Sequence, residues 1–219
     1  MGRLQVVIQM IIKTDKKRIS KIRSEAFRKC HFPAALAAFL LFAHTSIEAA
    51  TVVLPRPIPL LPETMAQLKQ SLADKDPQWQ LVVFGFTHCK DVCPTSLANL
   101  SMLVKAAAAE QIRLGGIFVT VDPDRDTNDV LSRYTKAFGS ALAYLRFEGE
   151  ELERFKATFS VEAAFYTKNA GNMQNYQVDH STTVFLIDPA GNIRVIFDAL
   201  KDSAQIEQMF RGNKALFES

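Results

Sequence analysis

The sequence predicts an α/β domain, a mixed sheet flanked by helices. Three observations carry this. Short apolar runs alternate with longer segments of helical spacing, the pattern of strand-helix-strand units. The runs at 79–84 and 117–121 flank one such helix, and a right-handed crossover makes their strands parallel. The runs at 183–187 and 193–197 are joined by Asp188-Pro189-Ala190-Gly191-Asn192, a hairpin turn that makes that pair antiparallel.

Taken in order, residues 51–62 carry Pro55, Pro57, Pro59 and Pro62 in an apolar context, which reads as an extended arm laid on the domain surface. The domain proper is expected over 63–215. Its first helix, 63–73, places Met65, Leu68 and Leu72 on one face. The run 79–84 is apolar along most of its length, the mark of a central strand covered on both sides. A helix over 95–109 follows, with Leu97, Leu100, Leu103 and Val104 on its apolar face and Ala106 to Ala109 allowing close packing. Gly115-Gly116 lead into the strand 117–121, which ends at Asp122-Pro123-Asp124-Arg125-Asp126-Thr127. The helix over 128–138 has an acidic start suited to its N-terminus and stops at Gly139. A short apolar stretch at 142–147 precedes a helix over 150–159, whose Leu152, Phe155 and Phe159 share a face. Residues 169–172 read as a turn, and a helix over 203–210 closes the domain. The element order is that of the thioredoxin fold with an insertion. It puts the turn after the first core strand at the sheet's C-terminal edge, where open α/β sheets concentrate function.

That turn carries the chemistry. Cys89 and Cys93 lie between the strand 79–84 and the helix, and Pro94 suits the first helical turn because its missing N–H is not needed there. Unpaired helix N–H groups favour a thiolate, which is both a nucleophile and a metal ligand. Cysteines four apart at a helix start face one side, so they can form a disulfide or jointly hold a soft ion. A thioredoxin-type redox site usually has two intervening residues, and this pair has three.

A cuprous ion held by two thiolates gains from a third soft or borderline ligand. Of the four histidines, His31 and His44 flank an apolar N-terminal stretch, and His88 adjoins Cys89 where its expected role is to shape the turn. His180 precedes the strand 183–187, in the loop that folds over the cysteine turn in a thioredoxin-like domain. Redox members place a proline there; this chain has none between Pro123 and Pro189. His180 can make that contact and complete a Cys₂His site, its second ring nitrogen bonded to Asp179 or a backbone carbonyl. Phe86 and Tyr176 are expected to rim the site. Asp122, Asp124, Asp126 and Asp129 lack the glycine and later glutamate of a calcium loop and read as carboxylates at a helix N-terminus.

Charge separates the chain into two parts. Residues 1–30 hold nine Lys or Arg against Asp15 and Glu25, a balance of +7, while the rest holds seventeen basic against twenty-one acidic residues, −4. A mildly acidic domain argues against a nucleic-acid partner. The basic segment 13–29, the apolar stretch 32–43 and small or polar residues up to Ala50 have the order of a secretory signal. The expectation is export to the periplasm, with 1–50 cleaved or kept as a short anchor that associates with the membrane through 32–47. Cys30 falls outside the domain, so the exported part has two cysteines, too few for a disulfide framework.

Three co-linear motifs then become recognisable: Phe84-Gly85-Phe86-Thr87-His88-Cys89-Lys90-Asp91-Val92-Cys93-Pro94, Val121-Asp122-Pro123-Asp124-Arg125-Asp126-Thr127, and Val178-Asp179-His180-Ser181 followed by Phe185-Leu186-Ile187-Asp188-Pro189-Ala190-Gly191. In that order, from about residue 79 to 210, they resemble the SCO/SenC family. The resemblance implies a thioredoxin-like fold and copper held by two cysteines and a distant histidine, roles that fall on Cys89, Cys93 and His180. It also implies a copper chaperone whose partner is the cytochrome c oxidase subunit with the binuclear copper site, or another copper protein. Some members resemble thiol-disulfide oxidoreductases, which would make Cys89 and Cys93 a redox pair acting on the cysteines of a copper protein. Two positions depart from the family pattern. Lys90 stands where proline is usual, and residues 55–78 read as an arm and a helix where the family usually opens with a β-hairpin.

Overall fold

The computed structural model describes residues 51–72, 78–169 and 171–217. The signal-like segment 1–50, with Cys30, His31 and His44, lies outside them. The first element is β1 (Val52–Pro59), followed by α1 (Pro62–Ser71), which starts on Pro62 where a missing N–H costs nothing. Next come β2 (Trp79–Gly85), α2 (Val92–Ala109) and β3 (Leu114–Thr120). The chain continues with α3 (Asn128–Phe138), β4 (Leu142–Leu145) and α4 (Gly149–Thr158). Two short strands, β5 (Ala163–Tyr166) and β6 (Gln177–His180), precede β7 (Thr183–Ile187) and β8 (Asn192–Asp198). The helices α5 (Ser203–Gly212) and α6 (Lys214–Phe217) end the described chain.

One six-stranded sheet runs in the order β1-β8-β7-β2-β3-β4. The pairs β2–β3 and β3–β4 are parallel, and the pairs β2–β7, β7–β8 and β8–β1 are antiparallel. All seven residues of β2 are buried, as its apolar run predicts. Alternation along the strand assigns them to two layers. Trp79, Leu81 and Val83 join Leu97, Leu100 and Leu103 of α2 with Ile206 and Phe210 of α5. Val82 and Phe84 join Leu68 and Leu72 beside α1 and Leu152, Phe155 and Phe159 on the α4 side. The result is the predicted mixed sheet between helices, a thioredoxin-like α/β fold. Among the described residues only α2 has the length and apolar character of a membrane-crossing helix, and here it is the main core helix.

The structure differs from the sequence reading in five places. The proline-rich arm is strand β1, paired antiparallel with β8, with an irregular register between Val53 and Ile58. Pro55 and Pro57 fall in that interval, and proline is tolerated on an edge strand because no ladder partner needs its N–H on the open side. Helix α2 begins at Val92, three residues before the expected start, and so takes in Cys93. The turn at 169–172 is the tip of an unpredicted hairpin, β5–β6, a separate two-stranded sheet. The apolar stretch at 142–147, not assigned to an element, forms strand β4 as far as Leu145, and α6 was not expected.

Candidate metal centre

β2 delivers the chain to the sheet's C-terminal edge, where Phe86 to Asp91 turn back into α2. Two hydrogen bonds shape the turn locally: Cys89 N–H donates to Phe86 O, and Thr95 N–H to Asp91 O. Cys89 is half-buried in the turn, while Cys93 sits buried in the first turn of α2. The helix expected from residue 95 starts three residues earlier, so Cys93 falls within it while Cys89 stays in the turn. They still adjoin, because Cys93 N–H donates to Cys89 Sγ at 3.3 Å.

His180 ends β6, opposite Ala163 in the hairpin. Its Nε2 lies 3.3 Å from Cys93 Sγ, a contact between residues 87 apart in sequence. The other ring nitrogen, Nδ1, lies 2.9 Å from Ser181 O. A carbonyl can only accept, so Nδ1 carries the proton and Nε2 presents a lone pair to Cys93. The structure supplies the backbone carbonyl that the sequence left as an alternative to Asp179. Phe86 is buried, with its ring edge against His180 at 5.6 Å between centroids.

The two thiols differ in acidity. At Cys89 burial raises the pKa, but the Cys93 N–H and the N–H groups of Asp91 and Val92, with the Cys93 side chain, outweigh it and lower the value. At Cys93 burial dominates and pushes the thiol far up; a hydrogen bond from the Phe86 backbone opposes this in part, and Cys89 and Asp126 add to it. His180 is held below the ordinary imidazole range, chiefly by burial, against the opposing effects of Ser181 and Asp179. A neutral imidazole is the form that ligates.

Among the described residues no three His, Cys, Asp or Glu side chains already form a cage around one point. Cys93 and His180 are in contact, and Cys89 is held one hydrogen bond away. The donor set fits a soft or borderline ion: two sulfurs and a pre-oriented imidazole nitrogen, with no oxygen ligand among them.

His88 is 48% exposed on its side chain, with Nδ1 3.8 Å from Asp126 Oδ1, in keeping with a turn role. Lys90 is exposed. The carboxylates at 122–129 do not all serve a helix N-terminus. Thr127 is the N-cap of α3 and Asp129 lies in its first turn. Asp122 and Asp126 instead point inward, with no exposure. Asp126 accepts from Thr87 N–H at 3.0 Å, Thr87 Oγ1 at 2.5 Å and Thr120 Oγ1 at 2.6 Å. Asp122 pairs with Arg125 Nε at 2.6 Å and accepts the Tyr176 hydroxyl. Tyr176 is thus buried support, and sequence reasoning missed the parts played by Arg125 and Asp126. The one signal available was the alternation of Gln177-Val178-Asp179-His180 after a turn rich in Asn and Gly, which marks a hairpin.

A family model described as SCO1/SenC matches residues 65–213, more than half of the chain. Over 149 residues the chain is 34% identical to the mitochondrial SCO2 homolog of Bos taurus, a stretch covering 67% of this chain and 55% of that protein. The match thus spans about half the length of the curated relatives. The solution structure of apo Sco1 from Thermus thermophilus is 30% identical with a TM-score of 0.58, covering 75% of this chain and 95% of that one. A copper-bound ScoI from Bradyrhizobium japonicum is 27% identical with a TM-score of 0.54, covering 71% and 96%.

Proposed function

Because the chain belongs to the SCO1/SenC family, we propose that it is a copper chaperone that carries Cu(I) on Cys89, Cys93 and His180 and assists metallation of the copper-bearing subunit of cytochrome c oxidase. The observation that carries the reading is the Cys93 Sγ to His180 Nε2 contact at 3.3 Å, with the imidazole tautomer set by Ser181 O. Two thiolates and a neutral imidazole are a ligand set for a cuprous ion, which accepts low coordination. The likeness to a ScoI structure with copper bound supports the same cargo. The order of the N-terminal segment supports action on the periplasmic side, with 32–47 as signal or anchor.

The test is Cu(I) titration of the reduced protein against a chromophoric chelator, with mass spectrometry for stoichiometry. The expected uptake is about one ion per chain, lost in Cys89→Ser and Cys93→Ser. In His180→Ala the affinity falls at least about tenfold, the lower end of what even a residue supporting a ligand contributes. Unchanged affinity in His180→Ala would remove His180 from the ligand set.

A second reading rests on the unequal thiols. Cys89, accessible and acidified, can attack a partner disulfide to form a mixed disulfide. Cys93 then attacks Cys89 Sγ, its proton passing to the departing partner thiolate. The partner disulfide is reduced to two thiols and this chain leaves with a Cys89–Cys93 disulfide. Such turnover on a copper protein's cysteines survives His180→Ala, whereas tight copper binding does not.

A further inference from the structure

We propose that the turn over residues 122–126 is a bracket for the site, in which Asp126 positions the cysteine turn and Arg125 positions the hairpin that carries His180. The inference rests on the copper-binding reading above. Neither residue is a ligand; both act through the residues that are.

The site needs such a bracket. Its donors come from two segments, the cysteine turn after β2 and a hairpin, β5–β6, that is a sheet of its own and joins the main sheet through Ser181 and Thr182 into β7. A lone two-stranded hairpin is marginally stable in water, so its position over Cys93 must be set by contacts elsewhere. Ala163 and Val178 pack on the core, and Arg125 supplies the polar contacts. Its Nη1 donates to Gln174 O at 3.2 Å and to Tyr176 O at 3.1 Å, and its guanidinium lies 3.7 Å from the Tyr176 ring centroid. Tyr176 immediately precedes β6, so the strand that ends in His180 starts from a fixed point about 13 Å away at ~3.3 Å per residue. The guanidinium also lies 5.7 Å from the Phe86 ring, which packs edge-on against His180. Asp122 completes this half by holding Arg125 Nε and the Tyr176 hydroxyl.

The other half faces the cysteines. Asp126 takes both the N–H and the hydroxyl of Thr87, two residues before Cys89. The halves are joined through Thr120, whose hydroxyl donates to Asp126 and accepts from Asp122 N–H at 3.0 Å. Arg146 fixes the backbone of the turn, donating to Asp126 O at 2.8 Å and Pro123 O at 3.0 Å. The side chains of Asp122 and Asp126 are fully buried and that of Arg125 is 4% exposed. A buried ion pair is a weak source of stability compared with apolar packing. What this one provides is a fixed spacing between two loops.

The test is a set of double-mutant cycles on Cu(I) affinity in the full chain, with far-UV circular dichroism as the folding control. Arg125→Met is expected to weaken binding about 10- to 100-fold, the range for residues that support a ligand. In a His180→Ala background the same change adds less than about twofold, because the residue it positions is gone. Equal weakening in both backgrounds, or none in the parent, overturns the assignment of Arg125. Asp126 is tested through Thr87: Thr87→Val weakens binding several-fold and Thr87→Ser restores it, while Asp126→Asn adds little to Thr87→Val. If Thr87→Val binds as the parent does, Asp126 is not a positioning residue. Should Arg125→Met fail to fold, Tyr176→Phe, which removes only the hydroxyl given to Asp122, is expected to weaken binding in the parent and not in His180→Ala. A His180→Ala protein of parental affinity sinks the ligand reading itself; a weakened His180→Ala beside unaffected Arg125→Met and Tyr176→Phe sinks only the bracket.

Discussion

Gly85 closes β2 directly under Cys93, and adding one methyl there probes how tightly the site is seated. A Cβ at Gly85 would lie 2.6 Å from Phe118 Cε2, 3.0 Å from Phe118 Cζ and 3.0 Å from Cys93 Sγ. Ordinary contact begins at 3.4 Å, so the ring must retreat by several tenths of an ångström and the thiol by somewhat less. Neither has room. Phe118 is 1% exposed and backed by Tyr134 at 5.6 Å between centroids, and Cys93 is 2% exposed. Gly85 is not in the left-handed region, so the cost is steric rather than conformational. Overpacking of this kind costs about 1–3 kcal/mol. Replacing glycine restricts the unfolded chain and returns about 0.4–1 kcal/mol. A 2.6 Å approach to a buried ring puts the cost at the upper part of that range, about 2–3 kcal/mol, so the net loss for Gly85→Ala is about 1–2.6 kcal/mol, which for a domain of this size lowers Tm by about 2–10 °C. The assay is thermal unfolding of the reduced apo protein. On a Phe118→Leu background the penalty is expected to shrink by at least about 0.5 kcal/mol, since the shorter side chain vacates the clash. An unchanged or raised Tm, or strictly additive losses in the double variant, would refute the reasoning.

Two further outcomes follow from the titrating groups. Alkylation of the reduced apo protein with iodoacetamide should label Cys89 first, with a rate that rises at a lower pH than for an unperturbed thiol, while Cys93 stays protected; peptide mass spectrometry reads the order, and equal or reversed labelling contradicts it. At Asp198 burial raises the pKa, but the Thr182 hydroxyl, the N–H groups of Leu200 and Lys201 and the Lys201 charge hold it below the usual carboxylate range. Its folded pKa is thus below its unfolded one, so its contribution is present above about pH 4 and is lost as pH falls through the folded value. Asp198→Asn should be less stable than the parent at pH 7, with the gap closing in acid; a gap that is constant from pH 7 to pH 2 by urea denaturation rules this out.

The sequence by itself determined the central strands of the sheet and singled out Cys89, Cys93 and His180 as candidate donors. Trp79 to Phe84 is apolar at every position but Gln80, the mark of a strand covered on both faces. Cys89 and Cys93 stand at the strand-to-helix turn whatever the rest of the chain does, because local spacing and helix-start chemistry need no distant partner. His180 could be named because few histidines compete with it and its place before β7 is a matter of topology. The tertiary structure alone decided how these groups meet. The hairpin β5–β6 is four residues per strand, so its alternation is a faint signal, and Arg125 holds its start by reaching across some fifty residues to Gln174 and Tyr176. Asp122 and Asp126 look like surface carboxylates in a polar turn. Only the packed fold shows them buried, since burial depends on what lies opposite, and what lies opposite comes from Thr87, Thr120 and Tyr176. The ionisation of the two thiols is likewise tertiary: the same side chain is acidified at Cys89 by N–H groups of the helix start and driven the other way at Cys93 by burial.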